Sequence, residues 1–183
     1  ETGARRVVTL GDNFHDAAGA DRLEPHAAGM LDALTRAVDW VWITGNHDEG
    51  DAHDLGRAAP RIGGTTTTEL ELGGMVLRHQ ALPGERRPEL SGHFHPRLSV
   101  TVRQRTIRRP CAVIATGGAD GENTDGKRMG GQRMILPAFG AYTGGMNAGD
   151  PAIIEALQPA ARIDAVVPAA GRIASFPLWR HAA

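Results

Sequence analysis

The sequence of 183 residues predicts a single α/β domain, a length sufficient for one hydrophobic core. Two short apolar runs, at residues 5–10 and 39–44, each end in a polar loop, and a segment of helical periodicity separates them. The second half carries short runs typical of β-strands, separated by turn residues. No internal repeat and no linker divides the chain, so we expect one domain over residues 1–183.

The first half predicts a strand–helix–strand unit. Residues 5–10 form an apolar run that stops at Gly11, the pattern of a buried strand. The order Asp-Arg-Leu-Glu at residues 21–24 fits a capping box, and apolar side chains then recur at helical spacing as far as Val38. Residues 39–44 indicate the second buried strand. In such sheets the functional site lies just beyond the carboxyl ends of the strands.

The second half predicts mainly β-structure. Residues 66–72 and 75–79 flank Gly73 and Gly74, which favours a hairpin. Residues 117–131 are rich in Gly, Asp and Asn and predict a flexible inserted loop. Three further strands, a short helix and a closing hairpin are predicted in chain order at residues 98–102, 111–116, 132–136, 151–157 and 163–176.

The charge is nearly balanced but unevenly distributed. The chain has 20 basic and 21 acidic side chains, a net charge of −1, yet residues 1–60 carry eleven acids and five arginines, and the remainder has a net charge of +5. Seven arginines lie between Arg86 and Arg109 with one acid, Glu89, among them. This arginine stripe fits a surface that meets a phosphate backbone. A solvated face of edge strands explains it equally well.

Several classes of protein are excluded by composition. No apolar run approaches the roughly 18 residues that a membrane helix needs, so we expect no membrane partner. The first six residues lack the layout of an export signal. Cys111 is the one cysteine, so a disulfide framework is excluded and we expect a reducing, cytoplasmic location.

Metal-ligating residue types stand where the predicted strands end: Asp12, residues 45–48 (Gly-Asn-His-Asp), His79 and residues 92–95 (Gly-His-Phe-His). Aspartate, asparagine and histidine together suit Mn²⁺, Fe²⁺ or Zn²⁺, and the lack of thiolates argues against a structural zinc site. A His-x-His on an extended segment turns both rings to the same side. We therefore expect its two histidines to grip two adjacent metal ions.

The ordered set Gly-Asp, Gly-Asn-His-Asp, His and Gly-His-x-His resembles the motifs of the calcineurin-like metallophosphoesterases. Residues 11–16, 91–96 and 136–145 further resemble the bacterial branch of ligase-associated DNA damage response endonucleases, called PdeM. The resembling motifs extend from residue 7 to about residue 147. The resemblance implies a metallophosphoesterase-type αββα sandwich and a metal-dependent phosphodiester hydrolase, a DNA endonuclease of DNA repair.

The resemblance also implies a set of metal ligands. Asp12 resembles the carboxylate that bridges two divalent ions, for which Mn²⁺ is expected and Fe²⁺ or Zn²⁺ is also suitable. Asn46, His79 and His93 resemble the remaining protein ligands of one ion. His95 resembles a ligand of the other ion.

Two catalytic roles and the partners are carried over in the same way. His47 resembles the histidine that hydrogen-bonds the phosphate and helps the leaving oxygen depart, and Asp48 would orient it. The family implies DNA, single-stranded by expectation, as substrate, and a DNA ligase or helicase of repair as partner. His15 is left as a surface residue or a supporting neighbour of the site.

The chain departs from the family pattern at its beginning. The first family motif, Asp-x-His, belongs upstream of Gly11, and the ten residues before Gly11 contain neither Asp nor His. We expect an N-terminally incomplete domain that lacks its first strand and two metal ligands, with weak or absent catalysis by this chain alone. A degenerate member of the family is the alternative.

Two other functions stay open. A phosphatase or nucleotide phosphodiesterase would keep the fold and change the substrate. A non-catalytic interaction scaffold built on the same fold would need none of the metal chemistry, although four ligands of one ion and His47 are retained.

Overall fold

The computed structural model describes residues 3–16, 18–48, 62–117, 131–140, 143–169 and 171–181. The chain divides into two compact units, Glu1–Leu70 and Glu71–Ala183. The expected single domain over residues 1–183 stays a prediction. The inserted loop predicted at residues 117–131 lies outside the described residues, apart from its two end glycines.

The first unit contains the predicted strand–helix–strand arrangement. Its three strands form a parallel sheet in the order β1-β2-β3, and α1 connects β1 to β2. The bounds are β1 Arg6–Leu10, α1 Pro25–Ala37, β2 Asp39–Ile43 and β3 Thr65–Thr67. Because β1 and β2 are parallel neighbours, the loops that follow them emerge at the same edge of the sheet. This places two of the predicted polar clusters side by side.

Helix α1 differs from its sequence-based description at its start and on its packed face. A 3₁₀ turn occupies Ala20–Arg22, and Glu24 precedes the helix without a side-chain cap, so the capping box predicted at residues 21–24 is wrong. Thr35 is buried, whereas Met30 and Leu34 are half exposed. Gly63 packs closely on this side of the helix, where a Cβ atom added to it would lie 2.9 Å from the Thr35 hydroxyl oxygen.

A seven-stranded mixed sheet lies in the second unit, apart from its residues Glu69 and Leu70, which precede the unit boundary. The strand order is β12-β11-β9-β10-β6-β5-β4, with parallel pairing of β5 with β6 and of β6 with β10. The bounds are β4 Glu69–Leu72, β5 Met75–Arg78, β6 Glu89–Ser91, β9 Ala112–Thr116, β10 Arg133–Ile135, β11 Arg162–Ala169 and β12 Arg172–Arg180. Both predicted hairpins are present, with positive φ at Gly73, Gly74 and Gly171 in their turns.

One core supports this second unit. Its members come from β9, β10, β11 and the short helix α2, Pro151–Ala156, which Asp150 caps through a 3.0 Å bond from the Ala152 N–H. Phe94 and Leu98 also belong to the core. Cys111 is 1% exposed, and burial raises the pKa of its thiol to about 11. In the described part of the chain, neither α-helix has the length and apolarity required to cross a membrane.

The arginines of the stripe lie in several different environments in the structure. Its densest part forms a two-stranded antiparallel hairpin of β7, Arg97–Val102, and β8, Arg105–Pro110. Only the first of these strands is predicted from the sequence, because β8 has no apolar alternation. Arg103 and Gln104 make the turn, with φ of 47° and 63°. Arg87 instead lies in a loop, where it pairs with Glu71 and Glu85.

Candidate metal centre

The first unit places Asp12 directly after β1. Gly11 and Asp12 have φ of 82° and 49°, in the left-handed region that aspartate tolerates better than most residues. The half-buried carboxylate of Asp12 accepts a hydrogen bond from the His47 backbone N–H at 3.0 Å. The loops after β1 and β2 are therefore joined at the proposed bridging ligand.

Asp48 joins the same two loops. Its carboxylate accepts bonds from the Asn13 backbone N–H at 2.9 Å, the Asn13 side-chain amide at 2.9 Å and the Gly45 N–H at 2.8 Å. The same Asn13 amide group donates to the Ile43 carbonyl at the end of β2. These bonds make Asp48 a positioning residue for the loops, and its orienting role toward His47 stays a prediction. Asn13 was not singled out from the sequence, although it directly follows the Gly-Asp motif.

His47 and Asn46 lie on the exposed loop after β2. The His47 ring faces the His15 ring with centroids 6.4 Å apart and an interplanar angle of 15°. His15 is exposed and lies three residues after Asp12. An accessible imidazole beside a second imidazole can donate a hydrogen bond to an anionic oxygen. This pairing of His15 with His47 is not visible in the sequence spacing.

The second unit brings His79 and His93 together. His79 follows β5 and is buried, and His93 follows the neighbouring parallel strand β6. His79 Nε2 and His93 Nδ1 are 3.0 Å apart, with the rings edge to face at 81°. The Gly92 N–H donates to the His79 carbonyl at 2.8 Å, which fixes the two segments to each other.

The spacing of these two ring nitrogens fits ligands of one ion. Imidazole nitrogens bind such metals at about 2.0–2.1 Å, so two ligands at right angles stand about 3.0 Å apart. The same distance allows a hydrogen bond between the rings when no ion is bound. Two imidazole nitrogen ligands favour a borderline divalent ion over Ca²⁺ or Mg²⁺.

The sequence predicts an extended backbone for the Gly-His-Phe-His segment, and this prediction is wrong. His93 and His95 have φ of 66° and 46°, both left-handed, and the Phe94 N–H bonds to the Gly92 carbonyl at 2.9 Å. Phe94, between the two histidines, belongs to the core. Two histidines in this sparsely populated region cost on the order of 1 kcal/mol or more each, a strain that is common at functional sites.

A buried ion-pair network supports the strand that carries His79. Arg133, 2% exposed, donates to Glu89, and the backbone carbonyls of Leu82 and Ala156 accept from the same guanidinium. Arg78, next to His79, pairs with Glu85 at 2.9 Å. Hydrogen bonds from Arg87 are the main cause that lowers the pKa of Glu85 to about 2, and burial opposes it. The network ties β5, β6 and β10 together beneath His79 and His93.

Comparison with known proteins gives a likeness to a solved structure. No protein-family model matches the chain, and no curated protein matches it. The crystal structure of Pseudomonas putida nuclease MPE is similar, at 27% sequence identity and a TM-score of 0.55, over 96% of this chain and 70% of that one. The chain has the predicted α/β sandwich fold. Mixed sheets with few helices agree with it.

Proposed function

We propose that the protein is a metal-dependent phosphodiester hydrolase, a nuclease that cleaves DNA. The observation that carries the proposal is the 3.0 Å approach of the His79 and His93 ring nitrogens at the ends of two parallel strands. The likeness to a solved nuclease supports a nucleic acid as substrate. The motif set supports membership of the calcineurin-like metallophosphoesterases, and its PdeM-like stretches support a role in DNA repair.

We propose the ligand set that the family motifs imply. Asp12, His79 and His93 offer one carboxylate oxygen and two ring nitrogens, and Asn46 adds an amide oxygen for the same ion. Asp12 and His95 would hold a second ion. Mn²⁺ is the proposed metal, with Fe²⁺ or Zn²⁺ as chemically suitable replacements.

The chain's own residues account for binding and proton donation. A pair of divalent ions, when bound, polarises a phosphoester and makes a water nucleophilic. His47 is exposed and is fixed by its backbone bond to Asp12, so its ring is available to a phosphate oxygen. It donates a hydrogen bond there and stabilises the leaving oxygen. Asp48 and Asn13 keep the loop of His47 against the loop of Asp12.

Cleavage of a single-stranded oligonucleotide by the purified full-length protein tests the proposal. We expect cleavage that needs added Mn²⁺, is stopped by EDTA, and falls about 10²–10⁴-fold in His47→Ala. His93→Ala is expected to remove Mn²⁺ binding measured by calorimetry. His26→Ala, an exposed histidine on α1, is the matched control and should match the wild type.

Three results would overturn the proposal. Oligonucleotide cleavage equal in wild type and in His47→Ala would show that the activity belongs to another protein or site. Hydrolysis restricted to phosphate monoesters or free nucleotides would favour a phosphatase or nucleotide phosphodiesterase. Absence of Mn²⁺ binding in the wild type would favour a non-catalytic scaffold.

A further inference from the structure

The β7–β8 hairpin is an exposed surface of one charge sign. All six residues of β8 are exposed, and the hairpin carries five arginines: Arg97, Arg103, Arg105, Arg108 and Arg109. No acidic residue occurs between Glu89 and Asp120. A cluster of five cations without an acid in its own segment attracts a polyanion.

The arginines have two different environments. Arg97 donates to the Thr143 carbonyl at 3.0 Å and Arg108 to the Gly145 carbonyl, so both are held against a neighbouring loop. Within the described residues, no hydrogen bond or ion pair is seen for the side chains of Arg103, Arg105 and Arg109. These three guanidinium groups keep their donors available for phosphate oxygens.

The pairing register arranges one face of the hairpin as cation, apolar side chain, cation. Arg109 pairs with Leu98, Ile107 with Val100 and Arg105 with Val102 along the two strands. Residues two apart on a strand share a face, so Arg105 and Arg109 flank Ile107 and are about 13 Å apart. On the same face, Leu98 of β7 is buried in the core and Val100 packs against the core, whereas Ile107 of β8 is 45% exposed. The part of this face that is open to a ligand therefore lies along β8.

The hairpin begins beside a proposed metal ligand. Arg97, its first residue, follows His95 by two positions. A groove lined by His95, Arg97, Pro110, Gly140, Thr143 and Gly144 lies at its base. A strand bound along the hairpin therefore reaches the neighbourhood of His95 without leaving the second unit.

We propose that the β7–β8 hairpin binds the phosphate backbone of single-stranded DNA and leads the strand to the groove beside His95. The inference rests on the nuclease function proposed above and identifies where its substrate binds. Cations at both ends of the face would contact phosphates, and exposed Ile107 between them would contact an unpaired base. A duplex keeps its bases stacked inside, so it gains only the phosphate contacts.

Protection of an edge strand accounts for exposed charges but not for the apolar side chain among them. Charged side chains on an edge deter pairing with another chain, whereas an exposed apolar side chain does not serve that purpose. Here all the charges are positive, and an apolar side chain is exposed between two of them. This composition favours a bound polyanion.

Fluorescence anisotropy with a labelled single-stranded oligonucleotide, in EDTA, tests the proposal without catalysis. The test variant is Arg105→Gln/Arg109→Gln. The control is Arg172→Gln/Arg180→Gln, which removes two exposed arginines from edge strand β12 of the same unit. Each phosphate contact contributes about 0.7 to the slope of log K against log salt for single strands. We expect the test variant to lose about 1.4 of that slope and roughly tenfold in affinity at low salt, and the control to lose much less.

Each outcome decides one proposal. Equal affinity and salt slope in the two double variants would overturn the hairpin proposal, and so would equal weakening on a duplex of the same sequence and length. Hydrolysis of bis(p-nitrophenyl) phosphate with Mn²⁺ separates this inference from the proposed function. If the test variant hydrolyses the small diester at the wild-type rate but cleaves the oligonucleotide more slowly than the wild type, the result would support binding through the hairpin. If no protein hydrolyses the small diester, the nuclease function fails while the anisotropy still tests the hairpin.

Discussion

At the scale of single residues, Asp48 does most to define the loops of the first unit. One carboxylate accepts three hydrogen bonds, two from Asn13 in the loop after β1 and one from Gly45 in the loop after β2. Its neighbour His47 bonds back to Asp12 through the backbone. The position of the proposed catalytic histidine thus depends on an acid whose role from family resemblance is only to orient its ring.

Asp48→Asn should therefore destabilise the protein. An amide has one acceptor oxygen and would turn its NH₂ group toward a donor, so at least one of the three bonds is lost. Losing it costs about 1–3 kcal/mol in the free energy of unfolding, measured by urea denaturation. Asp21→Asn, an exposed position in the 3₁₀ turn, is the control and should change stability by less than about 0.5 kcal/mol. Equal stability of the two variants would show that the three bonds contribute nothing.

At the scale of elements, the sequence predicted the strands, the helix and the turns that depend on neighbouring residues. Apolar runs and helical spacing predicted two parallel strands joined by a helix, which the structure contains. Glycine pairs and a glycine turn predicted the hairpins, and Gly73, Gly74 and Gly171 have positive φ there. Strand β8 was missed because its exposed residues carry no alternation and its partner β7 specifies the pairing. The left-handed φ values of His93 and His95 were also missed, because histidine has no local preference that predicts them.

The candidate site was predictable in its residue types and only partly in its geometry. The histidine and aspartate types follow from the motifs, since imidazole and carboxylate are what such ions bind. The 3.0 Å approach of His79 and His93 needs the parallel pairing of β5 and β6, which links residues 14 apart. The network of Arg78, Glu85 and Arg133 below them has no sequence signature, because its partners meet only in the folded sheet.

That network makes stability depend on pH through Glu85. The pKa of Glu85 is lowered from 4.5 to about 2, so its contribution is fully present above about pH 4.5 and is lost as the pH falls toward 2. The shift corresponds to on the order of 3 kcal/mol. The difference in unfolding free energy between wild type and Glu85→Gln should therefore be largest near pH 6 and fall by about half at pH 3. Urea denaturation at both pH values measures it.

Glu24→Gln is the control for that pH dependence. Glu24 is exposed before α1 and makes no side-chain cap bond. The difference in unfolding free energy between wild type and Glu24→Gln should therefore be the same at pH 6 and at pH 3. A difference between wild type and Glu85→Gln that stays constant from pH 6 to pH 3 would contradict the assignment of the lowered pKa to the Arg87 hydrogen bonds.

At the scale of the whole molecule, the charge divides with the two units. Residues 1–70 carry twelve acids and six basic residues, a net charge of −6, and residues 71–183 carry nine acids and fourteen basic residues, a net charge of +5. An acidic unit that offers Asp12 suits a cation, and a basic unit that offers the hairpin suits a polyanion. The balanced total of −1 conceals both properties.

Mn²⁺ should stabilise the protein if Asp12, His79 and His93 are ligands of one ion, as we propose. A ligand at 100 times its Kd adds about 2.7 kcal/mol, which corresponds to roughly 5–10 °C in Tm for a protein of this length. His93→Ala removes a ligand of the second unit. Asp12→Asn removes the charge of the first unit's ligand while keeping an acceptor for the His47 N–H. Each variant alone should lose most of the Mn²⁺-dependent rise in Tm, measured by calorimetry, whereas Arg172→Gln should keep it. A full rise in Asp12→Asn, with none in His93→Ala, would mean that the second unit binds the ion by itself.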